Sequence, residues 1–344
     1  MRIAIVGFGS VGRAFVRLLV EKRGPLKREG IDARIVYIID LGGGIYQPSG
    51  ITDADVMEIS GIKVQPSLCP HGGSTDVTFS LLLERRDVDI VIEMTPTNKD
   101  TGEPGMTHIK GSLEHGLHVV TSNKGPILLA YRELSGLARA NKVQLGIGCT
   151  CGGALPTINA GVIDMAGSNI LSMEGVLNGT TNFILNEMDK ERLSYEEALV
   201  KAQELGIAET NPRLDLEGWD TASKLLILTN VLMDDNRGLE DIAVSGITEL
   251  TQTDIQRAKR GGKRFRLVGR TIRSNDGLKM SVEPEEVSIG HPFYALEGAN
   301  KAVRYVSDTL GDLIIMGGAS DLRAASASIL RDLINIHRGC RLSV

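Results

Sequence analysis

The sequence is poor in aromatic residues and in long apolar runs. Phe, Trp and Tyr make up 4% of the 344 residues, with a single Trp, so the core is expected to be aliphatic. No apolar stretch approaches the roughly 20 residues that a membrane-spanning helix requires, and the apolar run at residues 3–6 is too short for a secretory signal. These absences predict a cytoplasmic location and no membrane partner.

Positive charge and cysteine are also scarce. Lys and Arg total 38 against 43 for Asp and Glu, and the resulting net charge of −5 argues against a nucleic-acid partner. The four cysteines are Cys69, Cys149, Cys151 and Cys340, and Cys149-x-Cys151 lacks the companion ligands of a zinc site. We therefore expect reduced thiols and no zinc site. Cys340, close to the C-terminus, leaves open a disulfide to another subunit.

Glycine, in contrast, is abundant, with 40 residues. The apolar run at the N-terminus ends in Gly-Phe-Gly-Ser-Val-Gly at residues 7–12, the glycine spacing of a dinucleotide-binding turn between a strand and a helix. Gly7 permits the tight turn, Gly9 lets the main chain approach a pyrophosphate, and Gly12 lets the helix pack closely on the strand. The helix is expected to begin near Ser10, which directs its N–H groups at the phosphates.

An acidic residue follows the second β-rich run, at residues 34–39. Asp40 is placed where such folds hold the adenosine ribose hydroxyls, and its carboxylate favours NAD because it repels a 2′-phosphate. Arg34 and Lys63 leave NADP open, since either would offer a phosphate site if it folded nearby.

Strands and helices alternate through the first 150 residues. Strands are predicted at residues 2–6, 34–39, 90–94, 119–121 and 144–147, helices at 13–22, 80–86, 106–115 and 134–140, and loops at 24–32, 41–44 and 66–73. This alternation predicts an α/β fold of the Rossmann type, a doubly wound parallel sheet, in a dinucleotide-binding domain at residues 1–150.

The pattern changes after about residue 150. Helices are predicted at 158–165, 194–204, 221–233 and 321–336, and strands at 172–177, 265–271 and 280–282. This mixture is typical of an α+β domain with an open mixed sheet. We expect this second domain at residues 151–304, with residues 305–344 packing back onto the first domain.

Polar residues follow the predicted strand at 119–121. Ser122, Asn123 and Lys124 lie at its carboxyl end, where open α/β sheets bind their ligands. The alternative for Lys124 is the ordinary one, a solvated surface lysine.

A second candidate pair lies in the α+β domain. Asp220 and Lys224 are four residues apart, so they share one helix face, although such a pair alone is more often a surface ion pair. Hydride delivery to a carbonyl builds negative charge on oxygen, so Lys224 suits a proton donor that Asp220 orients. Glu209 and Asp215 suit the binding of a cationic group such as an ammonium.

The chain resembles homoserine dehydrogenases along nearly its whole length. The resemblance rests on the glycine turn and on four further segments at residues 121–126, 178–185, 209–225 and 291–303. It implies reversible reduction of L-aspartate 4-semialdehyde to L-homoserine with NAD or NADP, a step of threonine and methionine biosynthesis. It also implies a homodimer formed through the second domain, which would be the substrate-binding and dimerisation domain.

The resemblance assigns roles to individual residues. Lys224 is implied as proton donor and Lys124 as an assisting group; with Asp220, which orients Lys224, they are the candidate catalytic residues. The implied substrate-binding residues are Gly179, Thr180, Glu209, Asp215 and Asp220. The expected cofactor-binding residues are Gly7, Phe8, Gly9, Ser10, Val11, Gly12, Asp40, Thr95, Pro96, Ser122, Asn123, Lys124 and Gly317.

The chain departs from the family pattern at three places. Ile207 stands where a Tyr is frequent, and Gly148 stands where a Glu begins the monovalent-cation loop. The carbonyls of Cys151, Gly153 and Leu155 are the ligands that remain there, so we expect no firm metal site. A glycine-rich turn beside the cofactor is reduced to residues 317–321.

These departures keep two alternatives open: a dehydrogenase of another amino acid such as aspartate, and a cofactor-binding protein without turnover. The sequence ends soon after residue 336, so no C-terminal regulatory domain is expected.

Overall fold

The computed structural model describes residues 1–62, 64–318 and 321–341. Its strands are β1 (Arg2–Val6), β2 (Arg34–Asp40), β3 (Gly43–Tyr46), β4 (Gly73–Ser74), β5 (Ile90–Glu93), β6 (His118–Thr121), β7 (Leu145–Gly146), β8 (Ile170–Val176), β9 (Ile242–Val244), β10 (Lys263–Ser274), β11 (Gly277–Ser288), β12 (Lys301–Ser307) and β13 (Asp312–Gly317). Its helices are α1 (Ser10–Glu21), α2 (Arg23–Arg28), α3 (Asp53–Gly61), α4 (Phe79–Arg85), α5 (Gly105–Glu114), α6 (Lys124–Ala140), α7 (Thr157–Asn159), α8 (Gly179–Lys190), α9 (Tyr195–Glu204), α10 (Arg213–Leu216), α11 (Trp219–Leu232), α12 (Gln252–Arg260) and α13 (Leu322–His337). Short 3₁₀ turns lie at Pro66–Leu68, Leu239–Asp241 and Pro292–Ala295, and a π-helical turn lies at Ala160–Asp164.

The chain forms two compact units. The first contains Met1–Ala154 and the described residues from Asp321 onward, and the second contains the described residues of Leu155–Ser320. Within the described residues, none of the helices combines the length and the apolar character that crossing a bilayer requires.

A seven-stranded sheet forms the centre of the first unit, in the order β4-β3-β2-β1-β5-β6-β7. The strands from β2 to β7 in this order are parallel, and β3 and β4 add an antiparallel edge. Helix α13 packs on α1, because Ile329 and Leu333 share an apolar cluster with Phe15 and Leu19. The predicted doubly wound α/β fold is confirmed.

A six-stranded sheet forms the second unit, in the order β13-β12-β8-β10-β11-β9. Strand β9 runs parallel to β11, and the other neighbours are antiparallel, so the sheet is mixed as predicted. Helices α8 and α11 pack on β10, and Thr229 of α11 shares a hydrogen bond of 2.8 Å with Thr271.

The structure corrects three expectations. Residues 305–318 belong to the second unit, because β12 and β13 are strands of the second sheet; the described residues of the first unit resume at Asp321. The predicted loop at 24–32 contains α2, and the predicted turn at 41–44 runs into β3, which pairs antiparallel with β2.

Candidate functional site

The turn after β1 joins three strand ends. Gly7 donates its N–H to the carbonyl of Ile39 over 2.9 Å, and Met94 donates to the carbonyl of Val6 over 2.7 Å. Gly7 has a φ of +92°, and a Cβ there would lie 2.6 Å from the carbonyl carbon of Met94. Both the backbone angle and the clearance therefore require glycine at this position.

Helix α1 begins directly after this turn, at Ser10 as predicted. A Cβ on Gly12 would lie 2.5 Å from the carbonyl oxygen of Gly7, so the missing side chain lets α1 pack on the turn. Gly9 is the N-cap residue, and no described side chain caps the helix. A Cβ on Gly9 would meet no described atom within 4 Å, so open space lies beside the first N–H groups of α1.

These features fit a dinucleotide. Strand β1 lies between β2 and β5, so the strand order reverses at the carboxyl ends of β1 and β5, where open α/β sheets bind ligands. The N–H groups and the positive dipole end at the start of α1 suit the negative charge of a pyrophosphate. In the same segment, Phe8 is buried and Val11 is half-buried.

Asp40 is the last residue of β2, at the same edge of the sheet. Its carboxylate accepts the N–H of Leu41 over 2.9 Å. Arg34 begins the same strand, six residues earlier and about 20 Å away at ~3.3 Å per residue, and pairs there with Asp32 over 2.6 Å. The hypothesis that Arg34 holds a phosphate beside Asp40 is therefore wrong. Lys63, the other candidate, lies outside the described residues.

A buried carboxylate organises the ends of β5 and β6. Glu93 has no exposed surface and ends β5. Its Oε1 accepts the N–H of Thr95 over 2.9 Å and the hydroxyl of the same residue, and its Oε2 accepts the hydroxyl of Thr121 over 2.7 Å. Burial raises the pKa of the Glu93 carboxyl above its ordinary value, and the hydrogen bonds from Thr95 and Thr121 oppose this rise only in part.

Asn123 extends this network to the neighbouring loop. Its main-chain N–H donates to the hydroxyl of Thr121 over 2.9 Å. Its side-chain amide donates to the carbonyls of Thr95 and Pro96, each over 3.3 Å. The loop after β5 is therefore tied to the residues after β6.

The same asparagine also caps α6. Its Oδ1 accepts the N–H of Gly125 over 3.1 Å, and the helix begins at Lys124. Ser122 donates its N–H to the carbonyl of Glu93 over 3.2 Å. One hydrogen-bonded edge thus holds the predicted residues Thr95, Pro96, Ser122, Asn123 and Lys124.

A second network lies in the second unit, at the start of α8. Asn178 donates from one amide nitrogen to Asp215 and to Asp220, each over 2.8 Å. Lys224 donates to Asp220 over 2.5 Å and to the carbonyl of Leu177 over 2.9 Å. The side chains of Lys224 and Asp220 are 16% and 9% exposed, so this pair is not the exposed surface ion pair that the sequence left open.

The start of α8 also carries the two other predicted residues of this group. Thr180 donates its hydroxyl to the carbonyl of Ile207 over 3.0 Å, a contact that does not depend on the Ile207 side chain. A Cβ on Gly179 would lie 2.7 Å from the carbonyl oxygen of Ala299. Glu209 is exposed, in the segment between α9 and α10.

The remaining predicted positions are scattered. Gly317 ends β13 in the second unit, paired with Lys301. Cys151 and Leu155 are buried, and Gly153 is half-buried with a φ of +62°. Among the described residues, no cluster of three or more His, Cys, Asp or Glu side chains is arranged to hold a metal ion. Of the four cysteines, Cys69, Cys149 and Cys151 are buried and Cys340 is half-buried.

Sequence reasoning missed the central residue of each network. Glu93 ends an otherwise apolar strand, Ile-Val-Ile-Glu, and an acidic residue in a buried run was the available signal. Asn178 opens a segment that carried the family resemblance, but its link to Asp215 and Asp220 spans 37 and 42 positions and has no local signature.

Known proteins resemble this chain over nearly its full length. The sequence pattern of the homoserine dehydrogenase family matches residues 156–334. Homoserine dehydrogenase from Methanocaldococcus jannaschii is 38% identical over 99% of this chain and 100% of its own. The NAD(+)-dependent homoserine dehydrogenase from Pseudomonas canavaninivorans is 36% identical over 98% of this chain and 96% of its own.

Solved structures agree. A hyperthermophilic archaeal homoserine dehydrogenase mutant in complex with NADPH has a TM-score of 0.82 at 27% identity, covering 98% of both chains. The homoserine dehydrogenase from Thiobacillus denitrificans also has a TM-score of 0.82, at 26% identity over 98% of this chain and 73% of its own. These matches show that the chain belongs to the homoserine dehydrogenase family of oxidoreductases.

Proposed function

We propose that this chain interconverts L-aspartate 4-semialdehyde and L-homoserine with a nicotinamide dinucleotide, and that Lys224 carries the proton. The observation that carries the proposal is the largely buried Lys224–Asp220 pair, joined through Asn178 to Asp215. In this proposal the first unit binds the dinucleotide and the second unit binds the amino acid.

The charges of the second network suit an amino-acid substrate. Two carboxylates and one ammonium give this network a net charge of −1, which attracts the substrate ammonium. We assign that contact to Asp215, with Glu209 joining from its exposed segment. Gly179 and Thr180 offer main-chain N–H groups at the start of α8, which suit the substrate carboxylate.

Lys224 acts on the reacting oxygen. In reduction, its ammonium donates a proton to the aldehyde oxygen as that oxygen gains negative charge, and in oxidation the neutral amine takes the proton from the homoserine hydroxyl. Asp220 accepts from Lys224 and holds its Nζ in place, over 2.5 Å. We give Lys124 an assisting role at the start of α6.

The dinucleotide belongs to the first unit. Residues 7–12 would hold the pyrophosphate and Asp40 the ribose hydroxyls, while Thr95, Pro96, Ser122 and Asn123 line the adjoining edge; Gly317 stays a predicted contact. When bound, the nicotinamide ring supplies or accepts the hydride. NAD and NADP are both supported within the family, by the NAD(+)-dependent relative and by the NADPH complex.

Substitution of Lys224 tests the proposal. We expect Lys224→Ala to lower kcat by about 10²–10⁴-fold in both directions, the usual loss on removal of a general acid–base group, measured by NAD(P)H absorbance with homoserine and with the semialdehyde. Lys224→Arg keeps a positive charge beside Asp220, but the guanidinium does not release its proton. We therefore expect kcat to fall in this variant as well, with the melting temperature of the wild type.

An exposed pair supplies the matched control. Arg213 and Glu217 have the same four-residue spacing, and Arg213 is 74% exposed, so Arg213→Ala leaves kcat within about twofold. An effect of Lys224→Ala confined to KM would instead make Lys224 a binding residue. Wild-type protein that binds dinucleotide but turns over aspartate rather than homoserine would overturn the proposed substrate.

We further propose a preference for NAD. Asp40 repels a 2′-phosphate, and Arg34 lies at the other end of β2. We expect a higher kcat/KM for NADH than for NADPH. Asp40→Ala should lower the ratio of the NADH value to the NADPH value by about tenfold, which corresponds to about 1.4 kcal/mol of discrimination between the two cofactors. Equal kcat/KM values in the wild-type enzyme would contradict the preference.

Three expectations complete the proposal. A homodimer through the second unit follows from the family resemblance. A cytoplasmic location is supported by the scarcity of cysteine, since secreted proteins more often depend on disulfides. At the carbonyls of Cys151, Gly153 and Leu155 we expect no firm monovalent-cation site, because no carboxylate accompanies them.

A further inference from the structure

The Glu93 carboxylate is buried among hydrogen-bond donors and is not one of the predicted site residues. A carboxylate without exposed surface is costly unless donors surround its oxygens. Here the N–H and the hydroxyl of Thr95 meet one oxygen, and the hydroxyl of Thr121 meets the other. An ionised carboxylate is the side-chain group that accepts on both oxygens at once.

The two threonine hydroxyls connect Glu93 to Asn123 by hydrogen bonds. Each donates to Glu93 and accepts from Asn123: the main-chain N–H reaches Thr121 over 2.9 Å, and the side-chain amide reaches Thr95 over 3.4 Å. Asn123 in turn caps α6, where Lys124 begins the helix. Because Glu93 accepts the hydrogens of both threonine hydroxyls, the direction of each hydrogen bond in this network is fixed.

Glu93 also adjoins the glycine turn. It pairs with Val6 in the register of β1 and β5, and the next residue, Met94, is the one that leaves no room for a Cβ on Gly7. A shift of the β5 end would therefore move the turn beside the start of α1.

We propose that Glu93 is a positioning residue for the dinucleotide: through Thr95 and Thr121 it fixes the edge that carries Asn123 and Lys124. This inference rests on the proposed binding of the dinucleotide by the first unit. Glu93 acts through its neighbours and need not touch the cofactor.

The test is dinucleotide affinity in the absence of substrate. Thr121→Val removes the hydroxyl while keeping the shape, so Glu93 loses a donor and the N–H of Asn123 loses an acceptor. We expect the Kd for NADH, followed by fluorescence titration, to rise about tenfold or more. Thr121→Ser restores the hydroxyl and should return the Kd to within twofold of wild type. Glu93→Gln should also raise the Kd, because its amide would face hydroxyl donors.

Thr271→Val is the matched control. Thr271 is equally buried in a strand, and its hydroxyl pairs with Thr229 in the second unit. Its loss should lower the melting temperature as Thr121→Val does and leave the Kd for NADH unchanged. In turnover, Thr121→Val should raise the KM for NADH while the KM for homoserine stays within twofold.

The outcomes separate this inference from the proposed function. An unchanged Kd for NADH in folded Thr121→Val overturns the positioning role, whatever the turnover. An equal rise in Kd for Thr121→Val and Thr271→Val would also overturn it, because general destabilisation would then explain both. Wild-type protein that binds NADH but does not oxidise homoserine overturns the proposed reaction and leaves the positioning role standing.

Discussion

At the scale of single residues, two glycines of the N-terminal turn have different reasons to be glycine. A Cβ on Gly12 would lie 2.5 Å from the main-chain oxygen of Gly7, so the fold itself excludes a side chain there. Gly9 has an ordinary φ of −74°, and its Cβ position meets no described atom within 4 Å. The fold therefore tolerates a side chain at Gly9, but such a side chain would clash with a ligand bound in that space.

Alanine at each position separates these reasons. Gly12→Ala should lower the free energy of unfolding by about 1–3 kcal/mol through overpacking and weaken NADH binding with it. Gly9→Ala should leave stability within about 0.5 kcal/mol of wild type but raise the Kd for NADH at least tenfold, because the methyl group takes the space we assign to the pyrophosphate. Chemical denaturation and fluorescence titration measure the two quantities. Normal NADH binding by Gly9→Ala would place the pyrophosphate elsewhere.

The same scale shows what the sequence could reveal of the candidate site. Asp220 and Lys224 were predicted to share a face because helical spacing is local, and the structure joins them over 2.5 Å. Glu93 bonds to Thr121, 28 positions away, through a tertiary contact that no local spacing predicts. The exposed position of Glu209 was equally beyond the sequence, since it depends on how α9 and α10 are connected.

At the scale of elements, the buried parallel strands were the easiest to predict. Strand β1 and its neighbours β2 and β5 are continuous apolar runs because side chains on both faces are buried. Strand β3 lacks that signal, since it begins with two glycines; a Cβ on Gly44 would lie 2.4 Å from the carbonyl oxygen of Ile38. Close approach of the antiparallel strand, rather than flexibility, accounts for glycine at that position.

Helix α2 was missed for a related reason. Gly24 and Pro25 are typical of a turn, but Pro25 lies in the first helical turn, where its missing N–H costs little. Leu26 is buried and anchors the short helix on the core of the first unit. Local propensity was outweighed there by one tertiary contact.

Helix α8 shows how an element end can serve chemistry and folding together. Asn178 caps the helix by accepting the N–H of Thr181 over 2.9 Å, while its amide nitrogen holds Asp215 and Asp220. The preceding residue, Leu177, supplies the carbonyl that accepts from Lys224. Positions 177–180 therefore fix the proposed proton donor and the proposed substrate contacts by the same backbone geometry.

At the scale of the whole molecule, the faces of the second sheet are covered unequally. Helices α8 and α11 pack on β10 from one side. On the other face, Glu174 of β8 is paired with Arg270 of β10 and with Arg304 of β12, and it forms an ion pair with each. Phe293 and Leu296 cover one end of that face.

The outer face also carries exposed apolar side chains. Ile314 is paired with Arg304, and Met316 follows two residues later, so both point to the outer side; Ile272 lies there as well, two residues from Arg270. These three side chains are 40%, 42% and 42% exposed, respectively. Ile314 and Met316 lie on β13, an edge strand of this sheet, and exposed apolar side chains at such an edge suit a contact with a second copy of the chain.

The proposed homodimer can therefore be tested at this face. We expect a mass of about twice 37.0 kDa by sedimentation equilibrium. Ile314→Glu places a carboxylate at the proposed interface and should shift the protein towards monomer, because removing that charge from water is costly even with Arg304 opposite it. Leu41→Glu is the control: Leu41 is 84% exposed in the first unit, and its substitution should leave the dimer intact. A monomeric wild-type protein at micromolar concentration would contradict the homodimer, and a dimer unaffected by Ile314→Glu would exclude this face as its interface.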